Sequence, residues 1–178
     1  MYMREWISVQ LQENKNGTKT VGVVVDSERS FRFDLSVFPH TPGDEDDDLC
    51  LRHLERLFHT DPSDSSIQCP PPDIADTREL LENQSVDVDT MVISPNDIAG
   101  ELILMFPEFK QNHNIKGRAA ILIIEGDIGL LDIEIAAKAL EGECNTDVLP
   151  VSFYKGDIPS KVYASLWWFD RRKWSWET

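Results

Sequence analysis

The chain has 178 residues, 41% of them apolar and 28% charged, which is a globular balance and length enough for one self-sufficient core. The formal charge of −15 is concentrated: residues 41–100 hold fifteen Asp and Glu against three Arg, while 1–40 balance at five against five and 101–178 have twelve acids against nine bases. A field of that sign repels nucleic acid and anionic membrane and attracts basic protein surfaces.

Three cysteines at irregular spacing do not make a disulfide framework and suit a reducing compartment. The start, Met1-Tyr2-Met3-Arg4-Glu5, becomes charged too early for a secretory leader, and no apolar run approaches the ~20 residues of a membrane helix. A cytoplasmic location is expected. The Asn-x-Ser/Thr matches at Asn16 and Asn83 are then coincidences of composition.

The first 35 residues read as an antiparallel meander. Ile7, Val9 and Leu11, then Val21, Val23 and Val25, then Phe31, Phe33 and Leu35 alternate with polar or small residues, and Asn14–Gly17 supplies a turn that tolerates positive φ. Pro39–Gly43 breaks the sheet. A helix is expected over 45–59, with acids in its first turn and Cys50, Leu51, Leu54, Leu57 and Phe58 on one side. Proline and serine make 61–76 a loop, followed by a short helix near 77–84 and a strand near 86–93.

Ser94-Pro95-Asn96-Asp97 has the form of a helix start, with Ser94 as cap, and Pro107 is expected to end that helix. Arg118–Glu125 as strand, Leu130–Glu141 as helix capped by Gly142, and Asp147–Tyr154 as strand compose a βαβ unit with parallel strands. The aromatic tail from Val162 to Trp176 forms a further strand or hairpin. The expected fold is α/β or α+β: a single domain over 1–178 whose mixed sheet starts as a meander and continues into the βαβ unit, with 41–90 as an acidic insertion.

No motif is strong enough to name a reaction. In open α/β sheets ligands sit beyond the carboxyl ends of the strands, which places Glu125, Asp127, Lys155 and Asp157 at one edge as candidate catalytic residues for metal or acid–base chemistry. A carboxylate at a helix start and glycines in a tight turn are also ordinary structural features. Cys50, His53, His59 and Cys69 have zinc-ligand chemistry, but Cys50 and His59 fall on opposite sides of a helix. No metal and no cofactor is therefore expected. Asp97 with Glu108-Phe109-Lys110 matches the residue order of metal-dependent nucleases without the strand their E-x-K requires. Cys144, just past a helix, is either a reactive or a spare thiol.

Two features suit a protein partner. One is the acidic run Asp44, Glu45, Asp46, Asp47 and Asp48; the other is Trp167, Trp168, Arg171, Arg172, Trp174 and Trp176, which combine the residue types common at interface hot spots. The same tail can instead pack on the core, with cations over its indoles.

From Ile93 to Trp168 the order of elements resembles that of the CRISPR-associated family of small cyclic-oligoadenylate ring nucleases. The matching pieces are Ile93-Ser94-Pro95-Asn96-Asp97, a strand ending at Gly126, a helix and two final strands. That resemblance spans less than half the chain. It implies nucleotide or phosphodiester chemistry and a tie to antiviral defence. The family's terminal histidine and arginine-bearing turn have no counterpart, so no catalytic residue is carried over. The leading expectation is a non-enzymatic, acidic protein-binding protein (inhibitor, immunity-type factor or accessory subunit) that docks on a basic partner and binds neither membrane nor nucleic acid directly. A small metal- or acid–base-dependent enzyme is the alternative.

Overall fold

A computed structural model describes residues 7–25, 29–40, 46–58, 63–154 and 161–170. The chain is α/β, and the described residues form eight strands and four helices in the order β1 (Ile7–Glu13), β2 (Lys19–Val25), β3 (Arg29–Pro39), α1 (Asp46–Leu57), β4 (Ile67–Cys69), α2 (Ile74–Leu81), β5 (Ser85–Ile93), α3 (Ile98–Asn112), β6 (Arg118–Gly126), α4 (Leu130–Cys144), β7 (Val148–Tyr154) and β8 (Val162–Asp170). The strands form one mixed sheet in the order β1-β2-β3-β5-β8-β6-β7-β4.

The meander forms as its alternation dictates. Strands β1, β2 and β3 pair antiparallel, and Val21, Val23, Phe33 and Leu35 face inward at no more than 1% exposure. Gly17, at φ +85°, supplies the left-handed residue that the first turn requires. The βαβ unit is also present: β6 and β7 are parallel neighbours, with Gly126 opposite Tyr154. Strand β6 is buried on both faces, which is why its sequence is a continuous apolar run.

The tail from Val162 forms a further strand, β8, whose place in the sheet the sequence leaves open. It lies between β5 and β6, antiparallel to both. Its side chains alternate between two cores. Trp167 and Phe169 join one layer with α1, α2 and the meander; Leu166 and Trp168 join the other with α3 and α4. Both tryptophans are at 0% exposure. Within 41–90, α1 and α2 pack in the first layer, the short β4 extends the sheet edge beside β7, and β5 sits in the sheet interior.

Four local expectations shift. The loop expected over 61–76 contains β4 and the start of α2. Ser94 does not cap α3. Asp97 does, accepting from the Gly100 backbone N–H at 3.0 Å, so the cap sits three residues later, and Glu101 reaches back to accept from the Ser94 N–H at 2.9 Å. A Cβ at position 100 would fall 2.1 Å from the Asp97 carboxylate, so any side chain there would have to displace the capping group. Helix α3 continues through Pro107 to Asn112. A helix-interior proline costs about 3 kcal/mol, and burial of Phe109 together with the docking of His113 in the last turn offsets it. Finally, α4 ends at Asn145, which takes the left-handed conformation expected of Gly142.

Because Trp167 is fully enclosed, Trp167→Ala should cost about 3–5 kcal/mol in urea unfolding. Leu104, 80% exposed on α3, should tolerate serine within about 0.5 kcal/mol in the same assay.

Candidate functional site

The edge expected from the βαβ unit exists at the carboxyl ends of β6 and β7. Glu125 and Asp127 lie there; Lys155 and Asp157 fall outside the described residues. Glu125 is only 2% exposed, and its Oε1 accepts from Arg52 of α1 through Nε at 3.0 Å and Nη2 at 2.8 Å. The same guanidinium stands 5.0 Å over the Tyr163 ring. Two guanidinium N–H groups converging on one carboxylate oxygen, with the cation stacked on the Tyr163 ring, suit clamping α1 to the sheet better than accepting a substrate proton. Asp127 remains exposed in the turn. Gly126 is set by close approach, since a Cβ there would press to 3.3 Å from Val162.

A second polar centre was not anticipated. Asp89 points from β5 into the α3–α4 layer and is fully buried. Its Oδ1 accepts from His40 Nε2 at 2.6 Å; its Oδ2 accepts from His113 Nε2 at 2.7 Å and Trp168 Nε1 at 2.8 Å. The other ring nitrogen of His40, Nδ1, donates to Glu108 Oε2 at 2.9 Å. Ionised carboxylates only accept, so a ring held between two of them carries a proton on each nitrogen. That geometry favours the imidazolium form of His40. Burial opposes that charge, but the hydrogen bonds and charges of Asp89 and Glu108 outweigh it and raise its pKa above 6.5. For Asp89, burial favours the neutral acid, and the hydrogen bonds from His113 and His40, assisted by Trp168, overcome it and lower the pKa. The histidine side chains are at most 5% exposed, whereas Glu108 is 62% exposed, so the group meets solvent through Glu108. The sequence did hold one signal: an acid at position 89 inside Val86–Ile93, a strand otherwise rich in apolar residues, has to be met by donors.

The remaining candidates separate. Cys50 is buried and its thiol is pushed up to about 12 by burial. His53 holds Ser165 Oγ at 2.6 Å, and Cys69 donates to the Pro150 carbonyl. His59 lies outside the described residues, among which no three His, Cys, Asp or Glu side chains are placed to hold a metal ion. Burial, with Glu143 nearby, pushes Cys144 up to about 12, which removes the reactive thiolate as an option at neutral pH. Asp97 caps α3, and Glu108 and Lys110 lie along that helix rather than on a strand.

Of the expected partner-binding residues, Trp167 and Trp168 are core side chains in this fold, enclosed in opposite layers, and offer no surface. Asp46, Asp47 and Asp48 open α1. Asp44, Glu45, Arg171, Arg172, Trp174 and Trp176 lie outside the described residues. An open cleft of about 650 Å3 at the other end of the sheet is lined by Asn83, Gln84, Asn114, Lys116 and Arg118. Arg118 is spent internally, on Asp87 and on the Ser85 and Trp168 carbonyls. Among the described residues, no helix is long and apolar enough to cross a membrane. The chain matches no protein-family model and no curated protein.

The Asp89 group sets a pH window. The raised His40 pKa gives a contribution fully present below 6.5 and lost as pH rises through the folded value. The lowered Asp89 pKa gives one present above 3.8 and lost as pH falls through its folded value. Thermal melts should therefore show this contribution complete between about pH 4 and 6.5 and declining on the alkaline side. His40→Gln should flatten that alkaline decline; identical slopes for parent and variant would refute the assignment. Asp89→Asn should cost about 3 kcal/mol or more at pH 6, because it strands a buried cation.

Proposed function

We propose that this chain is an acidic protein-binding protein, of the inhibitor, immunity-factor or accessory-subunit kind, that docks on a basic partner surface. The observation that supports this most directly is how the acidic segment is arranged. Arg52, Arg56 and Arg78 are its three arginines, and each holds a carboxylate of this chain: Glu125, Asp64 and Glu82 respectively. The run Asp44–Asp48 leads directly into α1, whose Leu49, Leu54 and Leu57 are buried at 1% exposure. Acid concentrated in sequence beside a helix that packs on the core favours directed electrostatic encounter over diffuse solubilisation.

The enzymatic alternative at Glu125, Asp127, Lys155 and Asp157 draws less support, because the Glu125 carboxylate is buried against Arg52. Asp127→Asn separates the two: it should leave complexes intact in a binder and abolish turnover in an enzyme.

Capture of partners from the native host at low salt should recover a stoichiometric basic protein. A wash in 0.5 M NaCl, where screening acts over only about 4–5 Å, should release it. Changing Asp44, Asp46, Asp47 and Asp48 to Asn and Glu45 to Gln should weaken the purified complex at least about tenfold at low salt and far less at high salt. Recovery of the chain alone in both washes would overturn the proposal.

A further inference from the structure

The two sides of the sheet end differently. Among the described residues, β4 and β1 are its outermost strands. Strand β4 is three residues long, shifts register against β7 and runs into Pro70-Pro71-Pro72. Shortness, irregular pairing and proline are the means by which proteins blunt an edge. Strand β1 has none of them. Its seven residues pair with β2 without a break in register and include no proline, glycine, lysine or arginine. The Asn14 N–H donates to the Thr18 carbonyl at 2.8 Å, which closes the hairpin and sets the alternation along the strand. Gln12, Gln10 and Ser8 bond to β2, while the backbone groups of Glu13, Leu11, Val9 and Ile7 point away from it. Residues 10–13 are all exposed. Leu11 is 41% exposed although it shares a face with Ile7 and Val9, which pack on the core.

We infer that the outer edge of β1 is a dimerisation surface, and that its occupant is β1 of a second copy running antiparallel. Overlap of the two strands along their full length puts Gln10 on the twofold axis and Val9 opposite the partner's Leu11. Odd-numbered residues then meet odd-numbered ones. Each outward N–H finds an outward carbonyl, and each apolar side chain keeps to the core face, where Leu11 gains an apolar neighbour. On the other face Ser8 meets the partner's Gln12. Glu13, the one charge on the strand, meets the partner's Ile7 rather than another acid. The net charge of the chain is not gathered here: residues 1–40 balance at five acids and five bases, and Glu13 lies across from Lys19 of β2. The pairing is isologous, so it consumes the long edge of both copies and leaves the blunted β4 edges outside. Association therefore stops at a dimer instead of growing into a fibre. This surface draws nothing from residues 44–48, so it stands or falls apart from the reading of the chain as a binder of basic partners.

Sedimentation and amide hydrogen exchange of the full chain test this. The parent should be monomeric when dilute and dimeric by roughly 0.5 mM. As the dimer forms, the amides of Val9 and Leu11 should pass from fast to slow exchange, while those of Ser8, Gln10 and Gln12 stay slow throughout. Leu11→Lys sets a charge at a half-exposed edge position, and Leu11→Pro removes an outward donor without touching a bond to β2. Each should weaken the dimer about tenfold or more, and Leu11→Lys should leave the melting temperature of the dilute protein unchanged. A chain that stays monomeric over that range, a dimer that both variants retain, or fast exchange at Val9 and Leu11 within the dimer would overturn the inference. So would slow exchange at those two amides in the monomer, or their protection by a host protein that holds the chain as a single copy.

Discussion

Strand β8 has to serve two cores at once, and much of the polar interior follows from that demand. Adjacent residues of a strand point to opposite faces, so Trp167 and Trp168 deliver one indole to each layer. Burying an indole without an acceptor for its N–H costs free energy on either side. On one face Trp167 donates to Ser165 Oγ, which His53 also holds. On the other, Trp168 donates to Asp89. A buried carboxylate cannot be satisfied by one donor, and His40 and His113 complete it. The pair of tryptophans thereby explains why the end of β3 and the end of α3 are tied to the middle of β5.

The charge distribution has a similar internal logic. Acids that point inward are matched by the chain's own bases: Glu125 by Arg52, Asp87 by Arg118, Asp89 by two histidines. These pairs join separate elements, so their Coulomb attraction works in partly dry surroundings where it is worth more than at the surface. Among the described residues, Glu55, Asp73, Asp76, Glu79 and Asp97 are exposed acids of the acidic segment, while Arg52 and Arg118 serve cohesion.

Local pattern revealed the parts of the fold that local pattern determines. Alternation at Val21, Val23 and Val25 and at Phe31, Phe33 and Leu35 predicted the meander, and the apolar run 119–124 followed by a helix predicted the parallel pair. What escaped depends on contacts remote in sequence. Nothing near Val162 announces that its strand enters between β5 and β6, since that choice is made by pairing partners some 40 and 75 residues away. Pro107 is a breaker by local rule, and only the docking of Phe109 and His113 overrides it. His40, Asp89 and His113 lie in three different elements, and no spacing rule unites them. The edge holding Glu125 and Asp127 was readable from the βαβ unit; the guanidinium occupying Glu125 comes from a helix 73 residues earlier and was not.

The position of β8 has a consequence for how the protein is made. It is the last of the eight strands to leave the ribosome, yet it is central to the sheet. Until it emerges, the nascent chain holds two half-sheets, β1-β2-β3-β5 and β6-β7-β4, each with an open inner edge and apolar faces lacking their tryptophans. Translation at roughly 5–20 residues per second keeps those edges exposed for seconds, long enough to invite pairing with a neighbouring chain. A chain that ended before Val162 would lack the strand that joins β5 to β6 and would leave an unpaired edge on each, the kind of edge that invites pairing with a neighbouring chain.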